Sequence, residues 1–140
     1  LNLVITDTGA AKAISGILPE LKGKITANAI RVPTPNVSLA IMHLNIKKGV
    51  SVEDLNQCFR NAAFHSNLRT TIDYSNSLDA VSSDFYSNEF ACVFDSQATI
   101  SNFNNITIYC WYDNEYGYSR QVARLLNKAL GINLVRYPKQ

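Results

Sequence analysis

Residues 109–119 read Tyr-Cys-Trp-Tyr-Asp-Asn-Glu-Tyr-Gly-Tyr-Ser, the densest aromatic and polar cluster of the chain. The residues from 106 to 112 are mostly β-branched or aromatic, which is typical of a strand. Beyond Asn114, apolar residues recur at helical spacing as far as position 129. Asp113 and Asn114 stand at the junction, where a helix N-cap is expected. The stretch therefore predicts a strand that leads directly into the last helix.

The side chain of Asn114 has two interpretations. A primary amide carries donors and an acceptor together, so it can pair with another primary amide, such as the carboxamide of nicotinamide. In the structural alternative, Asn114 or Asp113 only caps the helix, and the aromatic residues around them only fill the core. From these residues alone the structural alternative is the more common one.

The bulk properties exclude several classes of protein. A length of 140 residues suits one domain, and a net charge of +2 from 13 basic and 11 acidic residues argues against a nucleic-acid partner. The longest apolar runs are far shorter than the ~20 residues of a membrane span. Three cysteines without CxxC spacing, and two distant histidines, argue against a metal site. They suit buried thiols in a reducing cytoplasm.

The order of predicted elements indicates an α+β fold. Helices are predicted over 9–18, ended by Pro19, over 52–64, and from Asp113 to Leu130, with Gly131 as the C′ residue. Strands are predicted near 25–32, 37–46, 71–74, 80–85, 91–95, 97–102 and 105–112. Because these elements lack βαβ alternation, we expect a mixed, mainly antiparallel sheet with the helices on one face.

Two positions in the first third of the chain suit an anion. Thr8 and Gly9 open the first helix, whose first backbone N–H groups have no partner within the helix. Arg31 stands in an otherwise apolar strand, and its guanidinium can hold phosphate by two parallel hydrogen bonds. The structural alternatives are an ordinary helix cap at Thr8 or Asp7 and a salt bridge between Arg31 and an acidic residue.

Three blocks of sequence resemble the C-terminal catalytic domain of phosphorylating glyceraldehyde-3-phosphate dehydrogenase. The first is Trp-Tyr-Asp-Asn-Glu-Tyr-Gly-Tyr-Ser at 111–119. The second is Thr-Gly-Ala-Ala-Lys-Ala at 8–13, followed by Leu-Pro-Glu-Leu-Lys-Gly-Lys at 18–24. The third is Arg-Val-Pro-Thr-Pro-Asn-Val-Ser at 31–38, and Val-Ser-Ser-Asp-Phe at 81–85 is a weaker match. The resemblance covers roughly residues 3 to 131 in the order of the family.

The resemblance implies a set of ligands and the residues that bind them. Members of the family oxidise glyceraldehyde 3-phosphate with NAD and inorganic phosphate to 1,3-bisphosphoglycerate. Thr8 and Gly9 match the residues that bind the substrate phosphoryl group or inorganic phosphate, and Arg31 is expected to complete the same anion site. Asn114 matches the residue that holds the nicotinamide carboxamide, and Tyr118 would pack beside it as a cofactor-binding residue. For Tyr118 the alternative is a core aromatic residue.

The resemblance also implies what the chain lacks. The catalytic cysteine and histidine of the family, and its Gly-rich dinucleotide fingerprint, have no match here. Residues 1–131 are therefore expected to be a C-terminal catalytic domain without its N-terminal Rossmann domain, followed by a tail at 132–140. Such a fragment is expected to contain no catalytic residue and to be inactive alone. Its expected partners are its own Rossmann domain and identical subunits in a homotetramer.

One departure and two alternatives stay open at this point. Asp7 stands where the family usually has serine, so its carboxylate is expected to turn away from a bound phosphate or to cap the backbone. The same fold could serve an erythrose-4-phosphate dehydrogenase. It could also serve a non-catalytic module for phosphate binding or oligomerisation.

Overall fold

The first 35 residues form a small unit with little core. A computed structural model describes residues 1–132 and divides the chain into two compact units, Leu1–Pro35 and Asn36–Gln140. The first unit contains β1 (Val4–Asp7), α1 (Ala10–Ile17), a 3-10 helix (Pro19–Leu21) and β2 (Asn28–Arg31). The two strands pair antiparallel, with Val4 opposite Arg31 and Asp7 opposite Asn28. None of residues 1–35 is buried.

The second unit is built on a five-stranded sheet. Its elements are β3 (Ser38–Asn45), α2 (Val52–His65), β4 (Ile72–Ser75), a 3-10 helix (Ser82–Phe85), β5 (Cys92–Asp95), β6 (Ile100–Asn102), β7 (Asn105–Tyr112) and α3 (Asn114–Ala129). The strand order is β3-β7-β5-β4, with β6 paired to β7. Only β4 and β5 run parallel, and the other pairs are antiparallel. The mixed, mainly antiparallel sheet and the α+β class are therefore confirmed.

Alternation along β7 gives the sheet an apolar core face. Ile106, Ile108 and Cys110 lie on the same side of the strand, because every second side chain of a strand shares a face. They pack with Leu55 of α2 and with Phe94, whose side chain is fully buried. An apolar stripe of α2, which includes Leu55 and Phe59, thus covers this face, and Ser51 caps the helix by accepting from the Asp54 amide at 3.0 Å.

α3 is attached through the polar residues of one of its faces. Arg120 forms an ion pair with Glu89 at 2.6 Å, and Gln121 donates to the Glu89 carbonyl. Arg124 donates to Thr70 and Thr71, in the loop before β4. The helix ends as predicted, with Gly131 at φ +70°. Of the predicted tail at 132–140, residues 133–140 lie outside the described residues.

Two expectations were wrong, and one strand was missed. Residues 82–85 form a 3-10 helix rather than part of a strand, because the Asp84 carboxylate accepts from the Val81 amide at 2.8 Å and closes a local turn. β1 was not predicted. Cys58 is exposed rather than buried, since it lies beside the apolar stripe of α2 and not within it, whereas Cys92 is half-buried and Cys110 buried.

No helix within residues 1–132 is both long and apolar enough to cross a membrane. In the same range, no group of three or more His, Cys, Asp and Glu side chains is placed to hold a metal ion.

Candidate functional site

The predicted anion site at Thr8 and Gly9 lies at the start of α1. Gly9 is the N-cap residue, and the Thr8 hydroxyl accepts from the Ala10 amide at 3.3 Å. No acidic residue occupies the first turn, and a Cβ placed on Gly9 would meet no atom within 4 Å. Asp7 is exposed and does not cap the helix. This helix start is therefore open and free of competing negative charge in its first turn.

Arg31 is exposed at the end of β2 and forms no salt bridge with an acidic residue of the described range. Within residues 1–132 the structure contains one salt bridge, and Arg31 takes no part in it. The salt-bridge alternative is therefore not found among the described residues. In the register, however, Arg31 lies opposite Val4, so at 3.3 Å per residue it stands roughly 13 Å along the ladder from Thr8. The structure does not make the two residues neighbours, and their joint hold on one anion stays a prediction.

The start of α3 is fixed by Asp113. This residue is only 3% exposed. One carboxylate oxygen accepts from the Tyr116 amide at 2.9 Å, as an N-cap does. The other oxygen accepts from the Ser87 amide at 2.9 Å and from the Asn36 side chain at 3.1 Å. These hydrogen bonds, that of Tyr116 above all, hold the pKa of the Asp113 carboxyl below its ordinary value, although burial opposes them.

Asn114 and Tyr118 point away from the protein core. Asp113 is the cap, so Asn114 is the first helical residue rather than the N-cap. Its side chain is exposed and makes no hydrogen bond to the described residues. Tyr118, one turn later, is 73% exposed and so is not a core aromatic residue of this chain. By contrast, Trp111 stacks on Phe85 and donates to Asp95 at 2.9 Å. A primary amide and a phenol ring therefore stand exposed together at the start of α3.

Sequence reasoning missed two parts of this arrangement. The first is the Asn36 amide, which belongs to the quoted block at 31–38 but was given no role. The second is the Ser87 amide, and neither position is marked by its local sequence. Asn36 and Asp113 are 77 residues apart, so no spacing rule could have joined them. The available signal was the presence of Asn36 and Asp113 in two blocks that resemble the same family.

A comparison with protein families decides which family the chain is from. The model of the glyceraldehyde 3-phosphate dehydrogenase C-terminal domain matches residues 1–114. The chain belongs to this family. The matched range includes Thr8, Gly9, Arg31 and Asn114, whereas Tyr118 lies just beyond it.

Curated relatives of the glyceraldehyde-3-phosphate dehydrogenase family cover almost the whole chain. A glyceraldehyde-3-phosphate dehydrogenase-like protein of Pseudomonas aeruginosa is 50% identical over 139 residues, which are 99% of this chain and 30% of that protein. The chloroplastic glyceraldehyde-3-phosphate dehydrogenase B of Pisum sativum is 45% identical, over 89% of this chain and 28% of its own. The Claviceps purpurea enzyme is 41% identical, over 89% and 37%. The chain thus spans about a third of the length of these relatives.

Proposed function

We propose that the chain is the C-terminal catalytic domain of a phosphorylating, NAD-dependent glyceraldehyde-3-phosphate dehydrogenase. The intact protein would oxidise glyceraldehyde 3-phosphate and transfer inorganic phosphate to give 1,3-bisphosphoglycerate. Family membership supports the reaction class. The observation that carries the proposal furthest is the exposed Asn114 amide at the start of α3, which makes no hydrogen bond to another described residue.

Asn114 and Tyr118 would bind the nicotinamide end of NAD. The Asn114 side chain offers a donor and an acceptor in one plane, which matches the carboxamide of the ring. Tyr118 lies on the same side of α3 and offers an aromatic surface beside it. When bound, NAD supplies the hydride acceptor for aldehyde oxidation. The role of these two residues is to orient the ring, because hydride transfer needs one defined face toward the substrate.

Thr8, Gly9 and Arg31 would bind phosphate groups. The start of α1 offers backbone N–H groups and a positive dipole end, and the Thr8 hydroxyl adds a further donor. Arg31 brings a formal charge with no acidic partner in the described part of the chain. The reaction needs two anionic groups, the substrate phosphoryl group and inorganic phosphate. The separation of Arg31 from Thr8 along the ladder suits two such groups better than one ion.

The cysteines of the chain support the proposal that it is inactive alone. A thiolate nucleophile needs a lowered pKa and access to substrate. Cys110 is buried, and its hydrogen bond with Cys92 together with burial raises the pKa of its thiol above the usual range. The same hydrogen bond lowers the pKa of the Cys92 thiol, but Cys92 is half-buried and packs against the core of the sheet, which restricts access to it. Cys58 is exposed on α2, a helix to which no ligand-binding residue is assigned. The nucleophile and the proton acceptor would therefore come from the remainder of the intact protein.

The exposed apolar surface of α3 would meet that remainder. Leu125 is 67% exposed and Leu126 58%, next to Val122 on the same stripe. Since the polar face of α3 is already bonded to Glu89, Thr70 and Thr71, the stripe is left free for a partner. We assign it to the cofactor-binding domain of the same polypeptide.

A second apolar surface would join identical subunits. Ile41 and Tyr109 lie opposite each other on the sheet face that α2 does not cover, and Ile41 is 50% exposed. Ile100 adds to the same face and is 54% exposed. We assign this face to the subunit contact of a homo-oligomer, a tetramer by analogy with the family. A cytoplasmic location stays a prediction, since some relatives carry chloroplastic names.

An assay of the intact protein tests the proposed reaction. Reduction of NAD is followed with glyceraldehyde 3-phosphate, with and without inorganic phosphate, and with erythrose 4-phosphate as the competing aldehyde. We expect phosphate-dependent turnover that favours the three-carbon aldehyde, and no turnover by the 140-residue chain alone. Preference for erythrose 4-phosphate would indicate an erythrose-4-phosphate dehydrogenase instead. Absence of turnover by the intact protein would indicate a non-catalytic module.

A further inference from the structure

The Asp113 carboxylate joins three separate segments of the second unit. Its two oxygens accept from the first turn of α3, through the Tyr116 amide, and from the loop after the 3-10 helix, through the Ser87 amide. They also accept from the segment before β3, through the Asn36 side chain. All three donors lie 2.9–3.1 Å from the carboxylate. An exposed N-cap needs one such bond. This carboxylate therefore does more than end a helix.

The backbone around this carboxylate is strained. Val37 has φ +71° and Ser87 has φ +57°, and they are two of the three non-glycine residues with positive φ in residues 1–132. Ser87 donates directly to Asp113, and the Val37 amide donates to the Asn36 side chain at 2.7 Å. A β-branched residue in this region is costly and persists only where its surroundings fix it. Both strained residues are thus tied to the same carboxylate, one directly and one through Asn36.

A second anchor lies one helical turn further on. A Cβ placed on Gly117 would lie 2.7 Å from the Phe90 carbonyl oxygen, so only glycine lets α3 approach the 88–90 loop this closely. Asp113 and Gly117 are therefore the two points at which the first turn is held. Asn114 and Tyr118 each follow an anchor by one residue, a rotation of about 100° around the helix axis. The exposed amide and ring are consequently carried on a helical turn whose neighbouring side is fixed to the rest of the unit.

We propose that Asp113 is a positioning residue for the cofactor, because its carboxylate fixes the first turn of α3 and so holds the Asn114 amide where the nicotinamide carboxamide binds. The inference rests on the proposed role of Asn114. It adds that the precision of the contact comes from Asp113, Asn36 and Ser87, none of which is assigned a contact with the cofactor. A small displacement of the turn would misplace the ring relative to the aldehyde.

The variant Asp113→Asn tests this positioning in the intact protein. An amide keeps the size of the carboxylate, but its NH₂ group would face a donor at one of the two oxygen positions. We expect kcat to fall about ten- to hundredfold, as for misplaced reacting groups. We also expect the preference for NAD over its 3-acetylpyridine analogue to shrink, since that analogue lacks the carboxamide N–H donors. Loss of stability alone would lower the amount of active enzyme without changing this preference.

A matched control separates positioning from simple burial of a carboxylate. Asp95 is also buried, at 6% exposure, and accepts from Trp111 and from the Gln97 amide. It bonds neither to α3 nor to the 87–90 loop. Asp95→Asn should therefore destabilise the protein but leave the analogue preference of the folded fraction unchanged. Asn36→Ala removes one of the three donors and provides a milder variant should Asp113→Asn fail to fold.

The outcomes distinguish this inference from the proposed function. If Asn114→Ala and Asp113→Asn both reduce the preference for NAD while Asp95→Asn does not, the inference is supported. Suppose instead that Asn114→Ala reduces the preference for NAD but folded Asp113→Asn keeps the wild-type preference. The inference is then overturned, and the role of Asn114 stands. If Asp113→Asn does not fold, folded Asn36→Ala decides in the same way. If Asn114→Ala itself keeps the preference, the role of Asn114 is wrong, and the positioning role falls with it.

Discussion

The two units of the chain hold their proposed ligand residues in different ways. In Leu1–Pro35, Thr8 and Arg31 stand on a two-stranded ladder and a short helix, and no residue is buried. In the second unit, Asn114 stands on a helix whose cap is buried and bonded to two other segments. An isolated pair of strands is marginal in water, whereas a sheet covered by a helix is not. The proposed cofactor residue Asn114 is thus held by buried contacts within its own unit, whereas the proposed phosphate residues Thr8 and Arg31 are not.

The largest expected difference concerns the cores of the two units. Phe94 is fully buried and stacks on Phe59 with 4.0 Å between the ring centroids, so Phe94→Ala should lower the free energy of unfolding by about 3–5 kcal/mol. Ile30 is 61% exposed, so Ile30→Ala should change it by less than about 0.5 kcal/mol. Urea unfolding of the chain measures both values. Equal losses of unfolding free energy in the two variants would contradict the conclusion that only the second unit has a buried core.

Removal of the Asp113 carboxylate tests how much this buried cap stabilises the start of α3. Asp113→Ala leaves three donors without their acceptor, and we expect a loss of about 2–3 kcal/mol in the free energy of unfolding. Asp54, in the first turn of α2, serves as the control, because its exposed side chain only complements the helix dipole. Asp54→Ala should cost about 0.3–1 kcal/mol. A loss at Asp113 no larger than at Asp54 would contradict the special role of this cap.

The same carboxylate should make stability depend on pH in the acid range. Its pKa is lowered in the folded chain, so its contribution is complete above the unfolded value of about 3.9 and is lost as the pH falls through the folded value. The stability difference between wild type and Asp113→Asn should therefore be constant near neutral pH and shrink below about pH 4. Urea unfolding curves of both proteins, recorded from neutral pH to below about pH 4, measure this difference. A difference that stays the same throughout would show that the charge of Asp113 contributes nothing.

The smallest expected effect concerns the strained loop. Ser87 has φ +57°, which glycine adopts without a side-chain clash, so Ser87→Gly should raise the free energy of unfolding by about 0.5 kcal/mol. Ser83, inside the 3-10 helix, is the control, where glycine should instead cost about 0.5–1 kcal/mol. Thermal unfolding of both variants gives the comparison. Destabilisation at both positions to the same extent would mean that Ser87 is not strained.

Local sequence predicted the α-helices of both units and every strand except β1. α2 was predictable because its stripe, its Ser51 cap and its acidic first turn all agree. The α3 junction was predictable because β-branched and aromatic residues give way to helical spacing at Asp113. Residues 80–85 were predicted wrongly, since the Val81–Asp84 hydrogen bond outweighed their β-like sequence.

Tertiary contacts limited what could be predicted of the site. The three donors at Asp113 come from residues 36, 87 and 116, and only the last is within reach of a local rule. The place of Arg31 opposite Val4 depends on β1, which the sequence did not reveal. Residue types therefore indicated which ligands to expect, whereas the register and the long-range bonds decided how each ligand residue is held.

One set of kinetic measurements on the intact protein tests most directly whether the first unit binds phosphate and the second unit binds the nicotinamide. The KM for inorganic phosphate and the preference for NAD over its 3-acetylpyridine analogue are measured for wild type, Arg31→Ala and Asn114→Ala. We predict that Arg31→Ala raises the phosphate KM and keeps the cofactor preference, whereas Asn114→Ala reduces the preference and keeps the phosphate KM. If each variant shifted both quantities equally, or if neither shifted either one, phosphate and nicotinamide would not be bound by separate units of this chain.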